Sequence, residues 1–283
     1  MGIDLDVARF LLSARERQAD FQKTLMLGNQ KFEIFNSDYD SLTAAFALDN
    51  FEQVKKSGEF FRFLGAKEIA SMDISDYEGA TILHDLNQPI GNELKERFTL
   101  VLDGGTLEHI FNFPIALTNA MEMTEVGGHL AIIGGGNNFL GHGFYQFSPE
   151  LFYRALSREN GFEVKRMIAA EVRGRWFEVA DPQKIKSRVE LVNNKQTYLM
   201  VLAQKTESKT LFKNVPQQSD YVEMWQGSDK TQSNKSANKI KNLLKKSESL
   251  QKVLINIKQK QINSFVRKEK SFANTKVFKL VDK

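Results

Sequence analysis

The hydrophobic pattern over the first two hundred or so residues alternates between strand-like and helix-like segments. Short apolar runs bounded by glycine, aspartate or asparagine predict seven strands, at residues 24–29, 66–75, 80–86, 98–105, 129–136, 161–172 and 196–205. Apolar residues at helical spacing predict helices at residues 1–23, 41–64, 114–123 and from 148 onward. Strands alternating with helices indicate an α/β fold: a Rossmann-like, mostly parallel sheet with helices on both faces.

Polar residues follow the ends of the first five predicted strands. They are Asn29, Asp73, Asp85, Asp103 and the pair Asn137 and Asn138. The carboxyl ends of parallel strands share one edge of a sheet, where α/β proteins bind their ligands. A single Asp or Asn at such a place has a plain explanation, because both residues favour turns. Five strand ends along one edge favour a ligand crevice.

Composition excludes several classes of protein. The chain contains no Cys, which rules out disulfides, thiolate nucleophiles, cysteine-based zinc sites and iron–sulfur clusters. No apolar run approaches the ~20 residues of a membrane span, and the N-terminus lacks the pattern of a secretory signal. We therefore expect a cytoplasmic protein without a transmembrane segment.

Charge divides the chain into an acidic body and a basic tail. Residues 230–283 hold 15 Lys and Arg against 3 Asp and Glu, whereas the first 229 residues hold 24 against 32. An acidic body argues against nucleic acid as a partner of the main domain. We expect an α/β domain at residues 1–205, a linker with a short C-terminal segment at 206–235, and a basic tail, helical or partly disordered, at 236–283.

Three interpretations of the basic tail are open. Apolar residues from Ile240 to about Val266 follow an a/d-like spacing, which predicts a helix with an apolar stripe. The tail is then a solvated helix, a self-association element, or a binder of an anionic surface such as a membrane or nucleic acid. Few aromatic residues accompany the lysines, so stacking on bases has little support.

Four segments carry a more specific signal: YEGATILHDLNQPI (77–90), FTLVLDGGTLEHIFN (98–112), GHLAIIGGGNN (128–138) and GHGFYQFSPELF (141–152). Together they resemble a bacterial group of class I S-adenosylmethionine-dependent methyltransferases, over roughly residues 1–225. The resemblance implies a seven-stranded sheet whose last strand is antiparallel. It also implies S-adenosylmethionine as cofactor and methyl transfer to oxygen or nitrogen of a small molecule. Relatives of this type accompany glycan-building functions, so a saccharide precursor and a place in polysaccharide biosynthesis are expected.

The family's first motif is degenerate in this chain. An acidic residue and G-x-G-x-G usually follow the first strand, whereas here the sequence is LMLGNQ (25–30). Gly28 can still let the backbone approach the cofactor's carboxypropyl part. Asn29 and Gln30 can supply side-chain donors in place of the missing backbone groups. In a second departure, Thr99 stands where many relatives have Asp.

The resemblance assigns further cofactor contacts to the ends of the second and third strands. Asp73, with Ile74 beside it, is expected to accept hydrogen bonds from the ribose hydroxyls, because a carboxylate suits two neighbouring donors. Asp85 is expected to accept from the adenine amino group, and Leu86 to pack on the adenine ring. For both acids the alternative is a turn cap.

The catalytic candidates follow the fourth strand. By resemblance, the methyl donor's sulfonium lies near Asp103 and Gly104, which are therefore also assigned to the cofactor. Glu108 and His109 come within the next turn, and the ordinary pKa of His109, about 6.5, suits a general base. Alternatively His109 only shapes the pocket, because methyl transfer often depends on positioning more than on base chemistry.

The acceptor-binding candidates follow the fifth strand. Three glycines at 134–136 predict a flexible lip, and a phosphate-binding loop is a weaker alternative because no Lys-Ser/Thr follows. Asn137, His142, Tyr145 and Gln146 mix hydrogen-bonding groups with aromatic residues. That mixture suits a polar, ring-bearing acceptor such as a sugar, and it equally suits a packed loop.

Other chemistries have less support in the sequence. The four histidines lack metal-ligand spacing, so we expect no metal site, although His109 and His142 could meet in space. No G-x-S-x-G elbow of a serine hydrolase occurs. The main alternative to an enzyme is a scaffold protein that kept the methyltransferase fold without catalysis and acts through its basic tail. A nicotinamide-dependent Rossmann enzyme fits less well, because its glycine fingerprint is missing.

Overall fold

The computed structural model describes residues 2–226 and 268–281, which form a nine-stranded sheet flanked by helices. The strands are β1 (Lys23–Leu27), β2 (Glu68–Asp73), β3 (Ile82–Leu83), β4 (Phe98–Asp103), β5 (Thr124–Asn137), β6 (Phe162–Glu171), β7 (Trp176–Val179), β8 (Thr197–Lys205) and β9 (Phe278–Leu280). The helices are α1 (Leu5–Glu16), α2 (Asn36–Phe46), α3 (Ser57–Leu64), α4 (Phe113–Met123), α5 (Pro149–Ala155), α6 (Pro182–Ile185) and α7 (Ser219–Gln226).

The strand order confirms the expected α/β fold and extends it. The sheet runs β3-β2-β1-β4-β5-β8-β6-β7-β9. Strands β1 to β5 are parallel, and β8 lies antiparallel between β5 and β6. These are the seven strands and the antiparallel last strand that the resemblance implies. Two short antiparallel strands, β7 and β9, lengthen the sheet beyond β6.

Alternation along the central strands divides the core between the two faces of the sheet. In β4, Val101 belongs to one buried cluster and its neighbours Leu100 and Leu102 belong to the other. All six residues of β4 are buried, as expected of a central parallel strand covered on both sides. The sheet is therefore covered on both faces, and its carboxyl edge is the place left for polar groups.

The helices differ from the predicted ones in length. The segment predicted as one helix at 41–64 divides into α2, a 3₁₀ turn at Phe51–Gln53, and α3. Ala47 and Asn50 adopt positive φ angles, which end a right-handed helix. The start predicted at Ser148 is confirmed, because its hydroxyl caps the amide of Leu151. Among the described residues, no helix combines the length and apolar character needed to cross a membrane.

The C-terminal segment 268–281 packs against the α/β domain, whereas we expected residues 236–283 to be helical or partly disordered. Strand β9 pairs with β7, and Phe272 stacks on Phe177 with ring centroids 3.9 Å apart and planes 7° from parallel. Val277 and Phe278 are buried. These apolar residues, spaced between lysines, explain the docking. The predicted helix at 240–266 lies outside the described residues, and the domain boundaries at 205 and 235 stay predictions.

Candidate functional site

The ends of β1, β2 and β4 lie side by side at the carboxyl edge of the sheet. Leu27 is paired with Met72 on one side and with Asp103 on the other. The structure thus brings Gly28, Asp73 and Asp103 to one edge, where the sequence pattern predicted a crevice.

Asp103 is fully buried at the end of β4. Its Oδ1 accepts hydrogen bonds from the amides of Thr106 (2.8 Å) and Leu107 (3.1 Å), while Oδ2 has no hydrogen-bond partner. Burial, and secondly the neighbouring Glu108, raise the pKa of Asp103 to about 8. Because it has no exposed surface, Asp103 cannot take a proton directly from an acceptor in solvent.

The two polar side chains of the 3₁₀ turn Leu107–His109 differ in burial. Glu108 is buried, and neither of its carboxylate oxygens has a hydrogen-bond partner. Burial raises the pKa of Glu108 to about 7. His109 is exposed, and its pKa is lowered, first by partial desolvation and then by the neighbouring His142. A neutral imidazole on the surface thus lies next to a carboxyl group in the interior.

The loop 139–147 brings His142 to the same place. The carbonyl of Glu108 accepts from the amides of Phe144 (2.7 Å) and Tyr145 (3.3 Å). Gly143 has φ +70°, and a Cβ there would lie 2.7 Å from that carbonyl oxygen. His142 Nε2 then lies 3.4 Å from Glu108 Oε1, without hydrogen-bond geometry, and its ring meets that of His109 edge-on at 4.9 Å.

The degenerate first motif retains one glycine with a clear role. Gly28 has φ +71°, and a Cβ there would lie 2.8 Å from Thr106 Oγ1. Gln30 is buried, its Nε2 donates to the carbonyl of Leu27 (3.0 Å), and its Oε1 has no partner. A Cβ on Gly104 would lie 2.5 Å from that oxygen. Gln30 therefore offers an acceptor at the edge, where we expected a donor.

Asn29 is engaged within the protein. Its side-chain amide donates a hydrogen bond to the carbonyl of Glu78, so one of its two N–H groups is taken within the protein. This hydrogen bond links the turn after β1 to the loop after β2.

The acids after β2 and β3, Asp73 and Asp85, differ in the hydrogen bonds that their carboxylates already make within the protein. One oxygen of Asp73 accepts from the amide of Ile74, whose side chain is 68% exposed. Asp85 Oδ1 accepts from both the backbone and the side chain of Asn87, which lowers the pKa of Asp85 and forms the turn we considered as its alternative role. Leu86 is buried in the core, so Ile74 is the more accessible apolar side chain.

The glycines at 134–136 are not a flexible lip, and they do not form a phosphate-binding loop. They belong to β5, and two of them are needed for close packing. A Cβ on Gly134 would lie 2.9 Å from the ring of Phe147, and one on Gly135 would lie 3.0 Å from Phe139. The glycines thus allow aromatic side chains to cover the end of the strand.

Three of the four acceptor-binding candidates hold loops together. The Asn137 side chain donates to Asn193 Oδ1 (2.8 Å) and Gln146 Oε1 accepts from the amide of Phe139 (2.8 Å). The Tyr145 hydroxyl donates to the carbonyl of Phe111 (2.7 Å). These contacts favour the packed-loop alternative for those three. His142 is the candidate that the structure places beside Glu108 and His109.

Sequence reasoning missed an exposed aromatic pair beside the histidines. Phe111 is 73% exposed and Phe144 66% exposed, and their rings meet edge-to-face at 5.7 Å. Each follows a histidine by two residues, His109 and His142. The signal available in the sequence was the presence of these two apolar residues in otherwise polar loops.

Comparisons with known proteins give fold likenesses alone. No protein-family model and no curated protein matches the chain. Solved structures do, among them a branched-chain polyamine synthase from Thermus thermophilus (12% identity, TM-score 0.39). The match covers 76% of this chain and 61%, less than two thirds, of the synthase. Another is 1,6-didemethyltoxoflavin-N1-methyltransferase from Burkholderia thailandensis with bound S-adenosylhomocysteine (17% identity, TM-score 0.39). That match covers 72% of this chain and 78% of the methyltransferase. A third is the N-methyltransferase NodS from Bradyrhizobium japonicum (12% identity, TM-score 0.40), with 71% of this chain and 96% of NodS covered.

Proposed function

We propose that this protein is a methyltransferase that uses S-adenosylmethionine and acts on oxygen or nitrogen of a small, polar, ring-bearing molecule. One observation carries the proposal: Gln30 Oε1, buried and without a partner, faces Gly104 at the carboxyl edge of the sheet, 2.5 Å from where a Cβ on that glycine would lie. When bound, S-adenosylmethionine supplies an activated methyl group to the acceptor's lone pair and leaves as a neutral thioether.

The residues at this edge fit such a cofactor. Buried oxygens without donors are costly, and a ligand that carries an ammonium group and hydroxyl groups supplies the missing donors. Gln30 would hold the amino-acid part and Asp73 the ribose, while the fully buried Asp103 would fix the turn after β4 behind them. The exposed Ile74 gives the adenine an apolar surface, with Asp85 near its amino group. Gly28 and Gly104 keep Cβ atoms out of the space between these groups.

The acceptor side of the site begins at the histidines. A lowered pKa keeps the His109 imidazole neutral near pH 7, so a ring nitrogen can take the proton that the acceptor loses. Phe111 and Phe144 offer exposed aromatic rings on which the apolar face of a ring can pack. A saccharide precursor has such a face together with reactive hydroxyls, and it is the acceptor we propose.

Calorimetric titration with S-adenosylmethionine and S-adenosylhomocysteine tests the cofactor assignment. Micromolar binding, a free energy of about −8 kcal/mol, is expected. Asp73→Ala removes a charged hydrogen-bond acceptor worth about 1.5–3 kcal/mol, which corresponds to a roughly 10- to 100-fold loss of affinity. Asp40→Ala removes an exposed acid on α2 and should leave the affinity unchanged.

The titration also separates the proposal from its rival. Binding that is equally strong in Asp73→Ala and wild type would place the cofactor elsewhere. Absence of binding for both ligands would refute the methyltransferase proposal and favour a scaffold protein.

A further inference from the structure

Three side chains able to bind a metal ion meet beside the crevice. One ligand atom each from Glu108, His109 and His142 lies within 4.8 Å of the other two. The Glu108 carboxylate is buried and both of its oxygens lack partners, and His142 Nε2 lacks one as well. Two loops that are 33 residues apart in sequence supply these groups, so the spacing of the histidines gave no sign of the cluster.

We propose that Glu108, His109 and His142 bind a divalent ion of the zinc type. Two imidazole nitrogens and a carboxylate oxygen suit zinc and its transition-metal neighbours, whereas magnesium and calcium prefer oxygen ligands alone. Ligand atoms about 2.1 Å from a tetrahedral ion are about 3.4 Å from one another. The separation of His142 Nε2 and Glu108 Oε1 is already 3.4 Å. Rotation of the exposed His109 ring closes the remaining distance.

A simple ion pair between His142 and Glu108 explains the cluster less well. A protonated imidazole would satisfy Glu108 Oε1 and leave Oε2 buried without a partner. A divalent ion offers the carboxylate of Glu108 more charge than an imidazolium does and binds it directly.

The ion would have an open side. Three protein ligands leave at least one coordination position, and His109 and the partly exposed His142 place it toward solvent and the exposed Phe111 and Phe144. The role there rests on the proposed function: an acceptor hydroxyl that binds the open position loses its proton to water more readily. His109 then serves as a ligand, and the ion replaces it as the group that prepares the acceptor.

Metal binding is measured on the whole chain, without cofactor or acceptor. The protein is treated with a chelator, transferred to metal-free buffer and titrated with Zn²⁺ by calorimetry and with Co²⁺ by visible absorption. One equivalent of each ion and a tetrahedral Co²⁺ spectrum are expected. Loss of an outer-sphere group typically costs 10–100-fold in metal affinity, so His109→Ala and His142→Ala should each cost roughly 100-fold or more. His84→Ala is the matched control, because that half-exposed histidine lies outside the cluster.

His109→Ala keeps the experiment decisive, because an exposed side chain can be removed without unfolding the protein. Absence of stoichiometric binding, or binding that both histidine variants retain, would overturn the proposal. The cofactor titration is run with chelator present, so its outcome does not depend on whether the protein binds a metal ion. Cofactor binding without metal binding refutes only the ion, and metal binding without cofactor binding refutes only the methyltransferase.

Discussion

The buried carboxyl group of Asp103 should make the free energy of unfolding depend on pH in an unusual direction. Its pKa is raised from 3.8 to about 8, so the folded protein holds a proton there that the unfolded chain releases near pH 4. A group with a raised pKa contributes its full amount to the free energy of unfolding below about pH 4, and this contribution is lost as the pH rises toward 8. At pH 7 the loss would be about 4 kcal/mol at 1.36 kcal/mol per pKa unit, and interaction with Glu108 makes this an upper value.

Asp103→Asn removes this dependence while keeping the local structure. The amide oxygen of Asn can still accept from the amides of Thr106 and Leu107, and its NH₂ group replaces the unpartnered Oδ2. Relative to wild type, the variant should gain on the order of 2–4 kcal/mol between pH 5 and pH 8.

Urea unfolding at four pH values from 5 to 8, with chelator present, measures the difference in free energy of unfolding. Asp40→Asn, at an exposed position on α2, should follow the wild-type curve. If the curves of wild type and Asp103→Asn run parallel across this range, the carboxyl group does not hold a proton in the folded state and the reasoning is refuted.

Two further variants test the loops around the site and the C-terminal segment. Gly143→Ala should strain a positive φ and push a Cβ to 2.7 Å from the carbonyl of Glu108, lowering stability by about 1–3 kcal/mol in thermal unfolding. Gly141→Ala, where a Cβ meets nothing within 4 Å, should be nearly neutral, and equal Tm values for the two would contradict this account. Phe272→Ala should lose the stack on Phe177 and cost about 2–3 kcal/mol in urea unfolding; an unchanged midpoint would show that the segment is not docked in solution.

The parallel part of the fold was predictable from sequence because buried strands and helix starts depend on local residue patterns. All five parallel strands from β1 to β5 fall where apolar runs predicted them, and the cap at Ser148 was visible as Ser-Pro before an apolar segment. Strand β9 was not predictable, because its partner β7 lies about a hundred residues earlier. Its lysines gave the segment the composition of a solvated tail.

The site was predictable at the strand ends and not in the loops. Asp73 and Asp103 follow β2 and β4 in sequence, so the sheet fixes their neighbourhood. The meeting of His142 with Glu108 depends on two backbone hydrogen bonds from the loop 139–147, which no residue spacing encodes. The glycines at 134–136 misled for the same reason, since their flexibility is removed by aromatic side chains from that loop.

Strand β9 also decides how the sheet ends. Without it, β7 would present the unpaired amides and carbonyls of the sequence WFEV to any other extended chain, which is the usual starting point of edge-to-edge aggregation. With it, the outermost strand carries Lys279 on its exposed side, opposite Glu178, while Phe278 points inward. A lysine on a three-residue edge strand discourages a further strand from adding. Protein shortened before this segment should therefore be less soluble as well as less stable.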